Sequence, residues 1–410
     1  MFLFFLCLNL NSKNEYSNYK DPIWADAAGY YVYLPATFIY GWEPGAMPLD
    51  WPEKLGHGFD IDQKTGMLST KYSVGVAIME LPFFLVAHGF ALLNGNADGY
   101  SSEYHICLWM AGIFYLLMGL VFLKKYLVKR YDLKFVFVTL FFLLAGTNLY
   151  YYALNSSGMS HIYSFFLFSL MLWLADLLVD NFKLKYLLLF AFACSLCIVV
   201  RPTSLIYVVF LFFLKPTLFR IIIAELIRKP VLIVIVLLIA ILPLVPQFIY
   251  WHYSSGNLLH YSYEEEGFDY LLNPQILKFW FSTKNGLFVI TPMFVFALIG
   301  VFMMRKKNRL DSAKFIVLFL VFSYIFSAWH CWFYGCSYGS RNLVEYIVPF
   351  SIPFCLFVQQ TFRSRFSSLR YLALTLAAVF VFINLKMIYK YDDCFHGDVW
   401  DWEAYYKLIF

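Results

Sequence analysis

The sequence predicts an all-α, polytopic membrane bundle of about eleven spans, with a large first extracytoplasmic loop that carries interfacial helices. Three observations predict it. Hydrophobic residues make up 61% of the 410 residues and charged residues only 14%, against about 25% charged in a soluble domain. The chain therefore cannot clothe its own surface with charge. Its apolar residues also come in unbroken runs rather than in alternation. Leu133–Leu154, Pro230–Tyr250, Leu287–Met304 and Tyr371–Ile388 each approach the roughly 20 residues that cross about 30 Å of hydrocarbon. Finally, the charges are divided unevenly between alternate linkers.

In order, the candidate spans are 1–10 (half a span), 104–123, 133–153, 160–180, 186–200, 204–214, 230–250, 286–304, 311–329, 343–360 and 369–388. The run 73–93 is equally apolar but contains Glu80, Pro82 and His88. If it returns to the side it left, the linkers 124–132, 181–185, 215–229, 305–310 and 361–370 share one face. With the adjoining helix ends they hold 19 of the 31 Lys and Arg residues, but only about four acids, and positive charge belongs on the cytoplasmic side. The N-terminus is then inside, the C-terminus outside, and 73–93 an interfacial or re-entrant helix. The whole chain, 1–410, reads as one transmembrane domain, with outer segments at 11–103, 251–285 and 389–410.

Met1–Leu10 lacks a basic n-region and a small-residue cleavage site, so it reads as a truncated first helix or a late start rather than as a signal peptide. The basic residues form small clusters between apolar runs. That pattern excludes a nucleic-acid footprint and makes membrane lipids the natural surroundings. Cys194 and Cys197 lie within an apolar run and read as buried thiols. Cys331, Cys336 and Cys394 fall on the outer face, where a Cys331–Cys336 or a Cys331–Cys394 bridge could form. The eight histidines lie on or near the outer face, but no two have a convincing ligand spacing, and no metal or other cofactor is called for.

Large loops on a rigid scaffold usually carry the chemistry. Asp26 opens an amphipathic stretch directly after the first run. A carboxylate there can accept a proton from a hydroxyl, hold a metal, or simply cap a helix. Arg201 stands between two short apolar runs. An Arg at membrane depth pairs, marks a ligand path, or snorkels to the headgroups.

Five segments, in order, resemble the bacterial GT-C glycosyltransferases, multi-span enzymes that use polyprenyl-phosphate-linked sugars. They are Asp26 with the Ala-Gly-Tyr-Tyr that follows, Lys71-Tyr-Ser-Val-Gly-Val-Ala-Ile-Met-Glu-Leu-Pro-Phe-Phe84, Leu196-Cys-Ile-Val-Val-Arg-Pro-Thr203, Phe281-Ser-Thr-Lys-Asn-Gly-Leu-Phe-Val-Ile-Thr-Pro292 and Trp332-Phe-Tyr-Gly-Cys-Ser-Tyr-Gly-Ser-Arg-Asn-Leu343. The pattern departs at Ser73, where many members have Pro, and at Asp26, which lacks a neighbouring Glu.

The resemblance implies a GT-C-like fold and an inverting transfer from a polyprenyl-phosphate-linked sugar to a glycan, lipid or protein acceptor. It makes Asp26 the base and Lys71, Arg201, Lys284 and Arg341 the groups that hold the donor phosphate. Tyr30, Tyr72, His260 and Glu265 are weaker candidates for contact with the acceptor or the sugar. A solvated face is the plainer reading of the Glu264–Glu266 run. A transporter or flippase of a lipid-linked glycan and a non-catalytic assembly subunit are the competing readings. A transporter is expected to show internal repeats, and none is found. An assembly subunit would need neither Asp26 nor Arg201.

Overall fold

The computed structural model describes residues 21–47, 54–62, 65–263, 266–391 and 400–410. The half-span 1–10 lies outside them. The described chain is α-helical, apart from one antiparallel pair of two-residue strands, β1 (Asp60–Ile61) and β2 (Leu68–Ser69). By length and composition six helices could cross a membrane, or up to eight if each of two bent pairs is one span.

The expected count of about eleven is not reached among these residues because several apolar runs are broken. The run 133–153 stops at Gly146, between α5 (Leu133–Ala145) and α6 (Leu149–Leu154). The run 230–250 bends by 51° between α11 (Val231–Ile241) and α12 (Val245–Ser255), with Pro243 and Pro246 at the break. The run 286–304 splits around Thr291-Pro292 into α14 (Leu287–Ile290) and α15 (Phe294–Met304). Proline lacks the N–H and crowds the preceding turn, so an apolar run containing it need not be one helix.

The chain forms two compact units. The first comprises residues up to 119 and 152–264. Here α7 (Ser160–Asp180) and α8 (Leu184–Val200) are joined by three residues and pack antiparallel. The helix α4 (Ser102–Leu127) runs beside α7 in the same sense. Its Gly112 faces Ser157 and its Gly119 faces the Phe165 ring, where a Cβ would fall 2.5 and 2.6 Å from its neighbour. The start of α7 and the end of α8 therefore share one end of the unit, level with the middle of α4 rather than with its start.

Helix α3 (Gly75–Asn94) is long and apolar enough to cross a membrane, and it runs from that end antiparallel along the first half of α4, with Tyr115 donating to the Met79 carbonyl at 2.7 Å and His88 Nδ1 2.7 Å from the Tyr104 hydroxyl. Gly75 abuts Val200 at the end of α8, where a Cβ would lie 2.4 Å from the Val200 nitrogen. Glu80 accepts a 2.8 Å bond from Tyr163 near the start of α7. Asn94 donates to Glu103 in the first turn of α4 at 2.7 Å. The segment before α3 is pinned to the first turn of α4 by a buried pair. His105 Nδ1 lies 2.5 Å from the Asp21 carboxylate and Nε2 lies 3.0 Å from the Tyr100 carbonyl.

The second unit comprises residues 120–151 and 265–410. Its closest helix pair is α15 with α17 (Leu343–Phe362), where a Cβ on Gly300 would lie 1.9 Å from the Pro353 carbonyl oxygen. Only glycine allows that approach. Phenylalanines fill the seam, with Phe296 and Phe357 stacked at 4.7 Å. Arg363 pairs with Asp132 at 2.5 Å and thereby ties the end of α17 to the start of α5. The amphipathic C-terminal helix α19 (Trp402–Ile409) docks beside α14 through the Tyr405 hydroxyl, which donates to Val289 at 2.8 Å.

Candidate functional site

Asp26 is the first residue of the short helix α1 (Asp26–Tyr31). The position before it, where a capping side chain would sit, is Ala25, and no side chain caps the helix. Ala25 has a positive φ of 49° with ψ −120°, a sparsely populated conformation that costs a non-glycine residue about 1–3 kcal/mol. The backbone is held there from outside. Ala25 donates to Leu55 at 2.7 Å, and the adjacent chain at Gly58 passes so close that a Cβ would lie 1.8 Å from the Ala25 carbonyl oxygen.

This geometry presents the Asp26 carboxylate to Tyr72, whose hydroxyl donates a short hydrogen bond to it. Tyr72 is fixed in turn. Tyr33 donates to its carbonyl at 2.5 Å, and the Tyr30 ring lies 4.6 Å from its own. Burial pushes the Tyr31 and Tyr33 phenols well above their usual range, so both remain donors at neutral pH. Lys71 places its ammonium 5.6 Å from the Tyr72 ring centre and 5.7 Å from that of Tyr263, within the range of cation–π attraction. The first two motifs, more than forty residues apart in sequence, thus form one cluster.

The third motif meets this cluster through Gly75, which packs on Val199–Val200, directly before Arg201. Arg201 ends α8 in an extended conformation, and a short 3₁₀ turn, Pro202–Ser204, leads into α9 (Leu205–Leu214). Its guanidinium turns inward. It lies 2.9 and 3.0 Å from the two ring nitrogens of His161 and 3.5 Å from Ser160 Oγ, and both of those residues are fully buried. A snorkelling arginine would reach outward instead. Asp26, Lys71, Tyr72 and Arg201 accordingly gather at one end of the first unit. His161 joins them, although its sequence setting, at the start of an apolar run, gave no reason to single it out.

In the second unit the fourth and fifth motifs also interlock, through a residue that the sequence reading passed over. The buried Asn285 amide donates to Phe333 O at 3.0 Å, Gly335 O at 3.1 Å and Ser337 Oγ at 3.1 Å, and it accepts from Gly339 N at 3.1 Å. Its φ of 59° is one that asparagine tolerates better than most residues. This scaffold holds the loop that carries Arg341, whose guanidinium lies 5.7 Å from the Tyr334 ring centre. Lys284, half-buried, directly precedes Asn285.

Asn285→Ala should destabilise the protein clearly, because each buried polar group left unpaired costs about 1–3 kcal/mol. Asn285→Gly, which accepts the positive φ, should recover only the strain. Thermal unfolding of the two variants separates these contributions, and equal wild-type melting for both would remove Asn285 as the organiser of the loop.

His260 is exposed on the loop after α12, and Glu265 lies outside the described residues. Both expected disulfides of Cys331 are corrected. Cys331 is a free thiol whose pKa burial raises, while Cys336 is disulfide-bonded. Spacing along a turn could not reveal which thiol faces a partner. Cys194 and Cys197 are free thiols. Among the described residues no group of three His, Cys, Asp or Glu side chains could hold a metal ion. No protein-family model matches the chain, and comparison with curated proteins and with solved structures gives no match.

Proposed function

We propose that the protein is a GT-C-type glycosyltransferase that moves a sugar, with inversion, from a polyprenyl-phosphate-linked donor to a glycan, lipid or protein acceptor at the outer face of the inner membrane. One observation carries this reading: a carboxylate held by Tyr72 gathers with Lys71 and Arg201 at one end of the apolar helices. Asp26 takes the proton from the acceptor hydroxyl as its oxygen bonds to the anomeric carbon. The bond from that carbon to the donor phosphate oxygen breaks on the opposite face, and the lipid phosphate leaves with the electron pair. Fixed positive groups are what this developing charge requires. Arg201 and Lys71 supply them in the first unit, and Arg341 and Lys284 are the further candidates in the second.

In this reading Tyr30 and Tyr72 border the acceptor or the sugar, and the shorter apolar helices α5, α8 and α15 cross where the bilayer thins to meet them, at modest cost. Cells lacking the protein should accumulate a sugar on polyprenyl phosphate, and a membrane-impermeant oxidant added from outside should reach it. Accumulation on the cytoplasmic face alone would favour a flippase. Unchanged lipid-linked sugars would leave only the assembly-subunit reading.

A further inference from the structure

The far end of the first unit carries a feature that the transfer reading does not use. Helix α9 is followed by α10 (Pro216–Arg228), which turns away from it by 91°. The elbow is fixed by a buried ion pair between Lys215 and Asp176, whose side chains are 13% and 5% exposed. After α10 the chain enters the wholly apolar α11. Both flanking helices expose apolar faces, through Val209 and Phe213 on α9 and through Val234 and Leu237 on α11. Exposed faces of this kind are solvated by hydrocarbon, so a helix turned at right angles between them lies at the level of the headgroups.

The side chains of α10 are sorted for that position. At 100° per residue, Leu218, Ile222, Leu226, Phe219, Ile223 and Ile227 occupy a continuous apolar half of the helix. One flank of that half packs inward on α7, with Leu218 fully buried. The other flank, at i, i+4 and i+8, is uncovered: Phe219 is 53%, Ile223 38% and Ile227 74% exposed. Beside it stand the exposed Arg220, Arg228 and Lys229. The one acid of the helix, Glu225, pairs with Arg228 at 3.2 Å.

We propose that α10 is a membrane-surface helix that binds anionic phospholipid, with Phe219, Ile223 and Ile227 among the upper acyl chains and Arg220, Arg228 and Lys229 on the headgroup phosphates. Charge complementarity selects the occupant, since three exposed cations stand against one acid, and the pairing of that acid with Arg228 leaves Arg220 and Lys229 as the excess positive charge. An apolar flank beside a basic rim is also the pattern of helices that lie in the interface.

The test uses full-length protein in nanodiscs made from equal parts of phosphatidylcholine and phosphatidylglycerol, with the lipids that co-purify after extraction measured by mass spectrometry. Phosphatidylglycerol should be enriched over the bulk ratio. The variant R220Q/R228Q/K229Q should lose about fivefold or more of that enrichment, and added salt should weaken it. A control, R305Q/K306Q/K307Q, removes the same charge from a basic linker elsewhere. If the control loses as much as the α10 variant, or if the α10 variant keeps its enrichment, the proposal falls. The apolar flank gives a second reading through Ile227→Glu. Nanodiscs that hold two chains and fall to one with this variant would assign the flank to a second copy, and would also overturn the proposal.

Discussion

Asp26→Asn is expected to lower sugar transfer by about 10²- to 10⁴-fold, the usual loss when a general base is removed, and to leave thermal unfolding almost unchanged. The substitution keeps the size of the side chain and an oxygen able to accept from Tyr72, so the contact that fixes the side chain survives. Basicity and the negative charge are lost together. The plainer role for an Asp at the start of a helix is stabilisation of the first turn, worth about 0.3–1 kcal/mol through the helix dipole. That role predicts the opposite pattern, with transfer retained and a small drop in melting temperature. Purified variant and parent, assayed with the same polyprenyl-phosphate sugar and melted in the same detergent, separate the two. Near-normal transfer by Asp26→Asn would remove Asp26 from the mechanism. Tyr72→Phe refines the result, since it leaves the carboxylate but removes its donor. A moderate loss there, smaller than for Asp26→Asn, is expected if Tyr72 holds the base in place.

The helices were legible where an apolar run folds without a break. The run 160–180 coincides with α7, and 343–360 falls two residues short of the end of α17. Pro349 and Pro353 lie inside α17 without ending it, whereas Pro243 and Pro292 stand at breaks. The difference lies in tertiary packing, since α17 is enclosed by α15 and α5, and a single sequence does not display that enclosure. The site was legible as separate motifs but not as an arrangement. Asp26 and Tyr72 are joined across 46 residues, Asn285 and Gly339 across 54, and Lys215 and Asp176 across 39. Each of these pairs depends on a chain reversal that local patterns do not specify. His161 and Asn285 escaped notice for a related reason: a polar residue inside or beside an apolar run reads as an interruption until its partner is known.

Arg201→Ala should weaken binding of a polyprenyl phosphate by about ten- to hundredfold, the range set by about 1.5–3 kcal/mol for a hydrogen bond to a charged group. Arg201→Lys should lose less, because the charge remains while the two-pronged guanidinium geometry is gone. The position of the side chain is the reason to expect an effect of this size. The extended backbone at Arg201 interrupts the apolar runs of α8 and α9, and the guanidinium lies against the buried His161 and Ser160. A cation partly withdrawn from water interacts more strongly with an arriving anion than an exposed one does. An alternative role is purely structural, with Arg201 serving only to close the junction between the two helices. Both roles predict a lower melting temperature for Arg201→Ala, so stability cannot distinguish them. Ligand chemistry can. Undecaprenyl phosphate and the corresponding polyprenol share the hydrocarbon chain and differ in the phosphate. If Arg201 holds the phosphate, Arg201→Ala should weaken binding of the first and leave the second unaffected, and the parent's preference for the phosphorylated lipid should shrink by the same factor. Equal losses for both lipids would mean that the substitution has deformed the site as a whole. An undiminished preference would restrict Arg201 to the junction and leave Lys71 as the candidate for the phosphate in the first unit.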